Sequence, residues 1–151
     1  MNGGPDGSAW MRQPSARIVG FVVGATIALT AFHFTDNIVN VDTYPRQEWL
    51  SATAIQVGAL IFWPIMAGLG VAAYLHYRRG RFPLANWLLV AFSYIGLVSI
   101  GHFTTASPDE LTTRGLISVV IDGVMGFAVL GVALWSMLAR RKSTTPSAAP
   151  S

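Results

Sequence analysis

One carboxylic acid lies well inside a long apolar run of this sequence, where an ionised group is costly. Asp122 follows Leu116 by six residues, which places it about 9 Å into a helix. A charged side chain at bilayer depth costs at least about 2.5 kcal/mol on insertion scales and usually turns towards a partner inside the protein. We therefore expect Asp122 to be the central acid of a functional site. The alternative is a structural hydrogen bond that locks two helices together.

Two histidines lie where apolar runs end, and each is followed by Phe and Thr. His33 ends the first run and His102 the third, so both side chains would lie near the same membrane surface. An imidazole can transfer protons or bind a ligand, and a buried acid on another helix favours a shared site. We predict that His33, His102 and Asp122 are its catalytic residues. The alternative is that each histidine is an amphipathic anchor.

Further polar residues share helical faces with the two histidines. Thr30, His33 and Asn37 are spaced three and four apart, and Ser99 precedes His102 by three residues, so each set occupies one face of its helix. A glutamine early in the second run could orient the buried acid through its side-chain amide. The predicted substrate-binding residues are Gln56, Asp36, Asn37, Thr30, Ser99 and Trp63.

The same groups raise the question of a cofactor. Two imidazoles and a carboxylate could hold zinc or iron, in which case the ligands would be His33, His102 and Asp122. Two histidines on separate helices could instead ligate a haem. The sequence contains no cysteine, no HExxH motif and no Glu-x-x-His motif, so we favour a site without metal that performs acid–base chemistry. The cofactor, if there is one, stays unknown.

Four apolar runs must position these residues. The chain has 151 residues, of which 52% are hydrophobic and 11% charged, whereas a soluble domain is roughly 25% charged. About 20 apolar residues in a helix span a bilayer, and continuous rather than alternating hydrophobicity excludes a β-barrel. The sequence therefore predicts an all-α polytopic membrane protein, a four-transmembrane-helix bundle over residues 17–140. Its helices are expected at about 17–36, 47–78, 82–104 and 113–140, with disordered cytoplasmic segments at 1–16 and 141–151.

A two-plus-two internal repeat is a further expectation. The first and third runs both end in His-Phe-Thr, and in each following run an Ile followed by a polar residue lies soon after the chain re-enters the membrane, at Gln56 and at Asp122. This pattern favours a duplicated pair of helices. The alternative is a chance match of three residues.

The basic residues predict the orientation. Eight of the ten lie on one side of the runs, and Lys and Arg are retained on the cytoplasmic side. We expect a multi-pass protein of the cytoplasmic (inner) membrane with both termini in the cytoplasm. The eight are Arg12, Arg17, Arg78, Arg79, Arg81, Arg140, Arg141 and Lys142. Aromatic residues near the run ends are predicted to form interfacial belts; they are Tyr44, Trp49, Tyr74, Tyr77 and Trp87.

These observations predict a function only in outline. We expect a polar pocket in the outward leaflet that binds or converts a small lipid-soluble molecule, and enzymatic activity stays uncertain. The same polar groups would serve a non-catalytic assembly or scaffold subunit, in which they fasten helices, or a small proton-coupled transporter. The expected partners are membrane lipids and a second copy of the chain, packed through the face formed by Gly20 and Gly24. No nucleic acid is expected, because the basic residues cluster at run ends.

Overall fold

The computed structural model describes residues 12–44, 49–105 and 107–143 of the chain. The α-helices are α1 (Ala16–Val39), α2 (Ala52–Arg78), α3 (Phe82–Leu97), α4 (His102–Thr105) and α5 (Thr113–Ser143). Short 3-10 turns are Val41–Thr43, Val98–Gly101 and Pro108–Glu110. These residue ranges contain no strand, which confirms the all-α prediction. The disorder predicted for residues 1–11 and 144–151 lies outside the described residues.

Four segments are long and apolar enough to cross a membrane, as the sequence predicted. They are Ala16–Val39, Ala52–Arg78, Phe82–Thr104 and Thr113–Arg141. The third span consists of α3, the 3-10 turn after it and the first residues of α4. The outward-facing side chains are large and apolar, as in Phe21, Leu60 and Phe127. Lipid rather than water is the solvent that such a surface requires.

Local sequence signals set the helix ends. The hydroxyls of Ser15 and Ser51 accept hydrogen bonds from the first-turn backbone amides of α1 and α2, which is the usual N-cap interaction. Between α2 and α3 the chain reverses at Gly80, whose φ of +72° is a conformation that glycine adopts without steric cost. A tight hairpin therefore joins the second and third spans at an arginine-rich turn.

The helices form a closed ring in the order α1, α2, α3, α5, with α5 packed against both α3 and α1. The helices α3 and α5 approach closely at Gly96 and Gly126, where a Cβ on Gly96 would lie 2.7 Å from the backbone nitrogen of Gly126. Small residues allow backbones to approach in this way within a membrane. The small-residue face predicted on α1 is already used in part, because Gly20 packs against the ring of Tyr74. The predicted contact between two copies therefore rests on Gly24.

The buried residues change character along the bundle. Towards the Gly80 turn, which we call the basic end, the core is apolar and includes Val19, Leu89 and Val129. Towards the Val41–Thr43 turn, which we call the acidic end, polar side chains replace it. Those buried on α1 are Thr26, Thr30, His33, Asp36 and Asn37. The three residues of the predicted polar face of α1, Thr30, His33 and Asn37, thus lie inside the protein.

Two tyrosines predicted to lie in interfacial belts are buried instead. Tyr44 is 6% exposed and Tyr77 is 4% exposed. The Tyr77 hydroxyl donates a hydrogen bond of 2.6 Å to the carbonyl oxygen of Pro14, so part of the predicted disordered leader is attached to α2. Trp49 and Trp87 are largely exposed, as interfacial aromatic residues are.

Candidate functional site

Buried and half-buried polar side chains from four parts of the chain meet at the acidic end. We call this group the polar cluster. Its members are His33, Asp36 and Asn37 of α1, Tyr44 of the following loop, Ser118 of α5, and His102 at the start of α4. Arg114, one turn before Ser118 on α5, joins it from the surface. The cluster contains four of the predicted site residues, and it adds Tyr44, Ser118 and Arg114.

Both ring nitrogens of His33 have hydrogen-bond partners. The side-chain amide nitrogen of Asn37 lies 2.9 Å from Nε2, and an amide nitrogen can only donate. Nε2 therefore accepts, and the ring proton resides on Nδ1, which lies 3.1 Å from the hydroxyl oxygen of Ser118. Asn37 thus fixes His33 as the neutral tautomer with its proton on Nδ1.

Asp36 is buried and is held by three donors. The hydroxyl of Tyr44 donates to Oδ2 at 2.5 Å, the amide of Asn40 donates to Oδ1 at 2.7 Å, and Arg114 forms an ion pair with Oδ1 at 2.6 Å. The Arg114 side chain is 60% exposed, so its charge reaches the carboxylate from the protein surface. A buried carboxylate needs such partners, because desolvation without them is costly.

The phenol of Tyr44 is fixed as a donor. Burial and the hydrogen bond to Asp36 raise the pKa of Tyr44 to about 12, so the hydroxyl keeps its proton at neutral pH. Its oxygen also lies 3.2 Å from the hydroxyl of Ser118. Ser118 donates its one proton to the carbonyl oxygen of Gly115 at 3.0 Å, so the Tyr44 oxygen contacts Ser118 without a proton between them. Two hydrogen-bonded sets therefore lie side by side, Asn37–His33–Ser118 and Tyr44–Asp36.

His102 closes the polar cluster from the third span. Its ring centroid lies 5.7 Å from that of His33, edge-on, and 5.4 Å from that of Tyr44. It is half-buried, whereas His33 and Tyr44 are buried. His102 follows the 3-10 turn Val98–Gly101, which interrupts the helix of the third span; such interruptions often occur at functional positions. The two histidine rings therefore lie side by side, and His102 is the more accessible.

Asp122 lies one helical turn deeper than Ser118 on the same face of α5. Its Oδ2 accepts a hydrogen bond from the hydroxyl of Ser99, a residue of the 3-10 turn. Its Oδ1 is buried and has no hydrogen-bond partner in the described part of the chain. The carboxyl group is thus bonded to a serine rather than to an imidazole. A shared role for Asp122 and the two histidines stays a prediction.

The remaining predicted site residues lie along the interface of α1 and α2. The amide of Gln56 donates to the carbonyl oxygen of Ile38 at 2.8 Å, so it caps the last turn of α1 and does not orient Asp122. The indole nitrogen of Trp63 donates to the hydroxyl of Thr30 at 3.2 Å. Both bonds join α1 to α2. The Gln56 bond also supplies a donor to a carbonyl at the end of α1, where no donor is available within the helix.

The residues named as alternative metal ligands do not form a metal site. Across residues 12–44, 49–105 and 107–143, no group of three or more His, Asp, Glu or Cys side chains is arranged to hold a metal ion. Ligation by His33 would also require a free lone pair, and Asn37 already occupies the one on Nε2. The same contact opposes haem ligation by this residue.

Sequence reasoning missed Tyr44, Ser118 and Arg114 as members of the polar cluster. Tyr44 was expected to be an interfacial aromatic residue, and no role was predicted for Ser118 or Arg114. One signal was available: Arg114 and Ser118 are four residues apart and therefore share a helical face with Asp122. Nothing in the sequence indicated that the loop after α1 returns the Tyr44 hydroxyl to Asp36.

Comparisons with known proteins assign no family to this arrangement. No protein-family model matches the chain, and no curated protein or solved structure shows significant similarity to it.

Proposed function

We propose that this four-span protein binds a small lipid-soluble molecule at the polar cluster, and that His102 is the residue that contacts it. One observation carries the proposal: buried, hydrogen-bonded polar groups pack against a half-buried imidazole at one end of a bundle whose opposite end has an apolar core. Ionisable groups within membrane-spanning segments are rare and usually functional.

The contacts support separate roles for the two histidines. His33 has both nitrogens engaged, so it positions its neighbours and does not bind a ligand directly. His102 packs against the rings of His33 and Tyr44, which restrict its movement. A carbonyl or hydroxyl group of a bound molecule could therefore accept or donate a hydrogen bond at His102. A positioned imidazole is also the group most often used for proton transfer.

The charge distribution supports an outward position for the polar cluster. Arginines concentrate at the opposite end of the bundle, at positions such as Arg78, Arg79 and Arg140. By the positive-inside rule that end faces the cytoplasm, and the polar cluster faces the outer leaflet. A ligand would then reach His102 from the outer half of the membrane.

The test compares molecules that copurify with matched histidine variants. The full-length protein and the variants His102→Ala and His76→Ala are purified from the same membranes, and bound molecules are identified by native mass spectrometry. His76 is the matched control, because it is the third histidine of the chain and lies at the basic end. We expect one small apolar molecule with the wild type and with H76A that is absent from H102A. Equal amounts with all three proteins, or none with any, would refute the proposal.

A second candidate function is that of a non-catalytic assembly subunit. It is favoured by the way the polar cluster joins α1, the following loop and α5 through bonds inside the chain, such as that between His33 and Ser118. A fastening role predicts that Ser118→Ala lowers the unfolding temperature in the absence of any ligand. The two candidates differ for His102→Ala, which should leave stability nearly unchanged if His102 serves a ligand.

A further inference from the structure

A groove lies between the start of α3 and the end of α5, at the basic end and far along the bundle from the polar cluster. Its volume is about 360 Å³. The residues that line it are Pro83, Asn86, Trp87, Met137, Arg140 and Arg141. Its walls therefore combine an indole, a thioether and a proline ring with two guanidinium groups. The groove lies where the third span begins and the fourth span ends.

An unpaired acceptor lies among these apolar walls. Asn86 is 2% exposed, and its side-chain oxygen Oδ1 has no hydrogen-bond partner within the described residues. A buried carbonyl oxygen without a donor is costly and uncommon in folded proteins. A bound molecule that carries a hydroxyl group would supply the missing donor.

The positive charge of the basic end favours an anionic ligand. The described arginines here are Arg12, Arg17, Arg78, Arg79, Arg81, Arg140 and Arg141. The acidic side chains that the structure describes lie elsewhere: Asp36, Asp42, Asp109 and Asp122. Clusters of arginine at a membrane surface attract anionic lipid. Guanidinium groups also bind phosphate with good geometry.

The depth of each group indicates what kind of anion fits. The guanidinium carbon of Arg140 lies 5.4 Å from the ring of Phe82, the first residue of α3. Asn86 follows Phe82 by four residues, which is about one helical turn deeper into the membrane. The ligand hydroxyl that donates to Oδ1 of Asn86 must therefore lie between the charged group and the apolar tail of the ligand. Trp87, which is 67% exposed, would continue the apolar contact along the tail.

We propose that this groove binds a single-chain anionic phospholipid, a lysophospholipid. Its phosphate contacts Arg140 and Arg141, and its free glycerol hydroxyl donates to Oδ1 of Asn86. Its acyl chain lies along Trp87 and Met137. A lysophospholipid has its free hydroxyl on the glycerol carbon next to the one that bears the phosphate, on the side of the acyl chain. In a two-chain lipid that hydroxyl is esterified, so it cannot donate. Free phosphate has no apolar part that could pack against the apolar walls of the groove.

The test measures binding of four lipids to the full-length protein in detergent. They are lysophosphatidic acid, its analogue without the glycerol hydroxyl, two-chain phosphatidic acid and lysophosphatidylcholine. We expect lysophosphatidic acid to bind about tenfold more tightly than the analogue and than phosphatidic acid, because each of those lacks one hydrogen bond to a buried acceptor. Lysophosphatidylcholine, which is zwitterionic, should bind least. Equal binding of the analogue or of phosphatidic acid would overturn the assignment, and this comparison needs no variant.

Variants then locate the site. Arg140→Gln with Arg141→Gln should weaken binding of lysophosphatidic acid about 30-fold. Arg17→Gln with Arg79→Gln removes the same charge from exposed positions outside the groove, and it should leave binding unchanged. Asn86→Leu should abolish the preference over the analogue. Equal weakening by both arginine pairs would show that binding follows overall charge, which would overturn the proposal.

Discussion

The hydroxyl of Ser99 donates a hydrogen bond to the carboxyl group of Asp122, across the contact between α5 and the 3-10 turn of the third span. This bond supplies the carboxyl group with its one donor among the described residues. It also ties the interruption of the third span to the fourth span. The interruption leads directly to His102, so the position of that imidazole depends on how Ser99 is held.

We predict that Ser99→Ala lowers the free energy of unfolding by about 1–3 kcal/mol, because it leaves a buried carboxyl group without a donor. The control is Ser93→Ala, since Ser93 is equally buried but donates only to Val90 in its own helix. A double-mutant cycle with Asp122→Asn measures the coupling of the pair, by thermal unfolding in lipid nanodiscs. Equal effects of S99A and S93A would argue against the coupling.

Tyr44→Phe should destabilise the protein by about 1.5–3 kcal/mol, the range for a hydrogen bond to a charged group. The change removes the donor to Asp36 and leaves the ring in place. Tyr94→Phe is the control, because Tyr94 is 56% exposed. The measurement is again thermal unfolding. Equal stability of the two variants would contradict the hydrogen bond from Tyr44 to Asp36.

The pH dependence of stability should show the titration of Tyr44. Its pKa is raised in the folded protein from 10.0 to about 12, so the folded state favours the protonated phenol. The stability that this contributes is therefore complete below pH 10 and is lost as the pH rises towards about 12. Ultraviolet difference absorption of tyrosinate, compared between wild type and Y44F, isolates this group. A Tyr44 titration near pH 10 would contradict the prediction.

Nitrogen-15 NMR should find His33 as the neutral tautomer protonated at Nδ1. The reason is that Asn37 donates to Nε2. Asn37→Leu removes that donor and should change the His33 signals, while those of His76, at the other end of the bundle, serve as an internal control. A proton on Nε2 in the wild type would contradict the hydrogen-bond pattern.

Gly96→Ala should destabilise the bundle by about 3 kcal/mol or more, at or beyond the upper end for overpacking. The added Cβ would meet the backbone of α5 at Asp122 and Gly126, which cannot move aside as a flexible side chain can. Gly131→Ala on α5 is the matched control, because a Cβ there meets no atom within 4 Å. Unfolding of the two variants in nanodiscs checks this, and a tolerated G96A would contradict the close approach of the helices.

The sequence by itself determined the architecture. Four apolar runs, each long enough to span a bilayer, dictate four helices, since the backbone groups of a spanning segment must pair within it. Helical spacing also placed Thr30, His33 and Asn37 on one buried face, because a period of 3.6 residues is a local property of the chain. The meeting of His33 and His102 followed from the matching direction of the first and third spans.

Only the tertiary structure decided which polar groups became partners. Asp122 was expected to meet Gln56, yet it accepts from Ser99, and Gln56 caps α1 at Ile38. The return of Tyr44 to Asp36 was likewise not predictable. The physical reason is that the rotation of each helix, and the path of a loop, depend on packing between elements distant in sequence. Close contact at Gly96 and similar positions sets these rotations, and no periodicity within one helix records them.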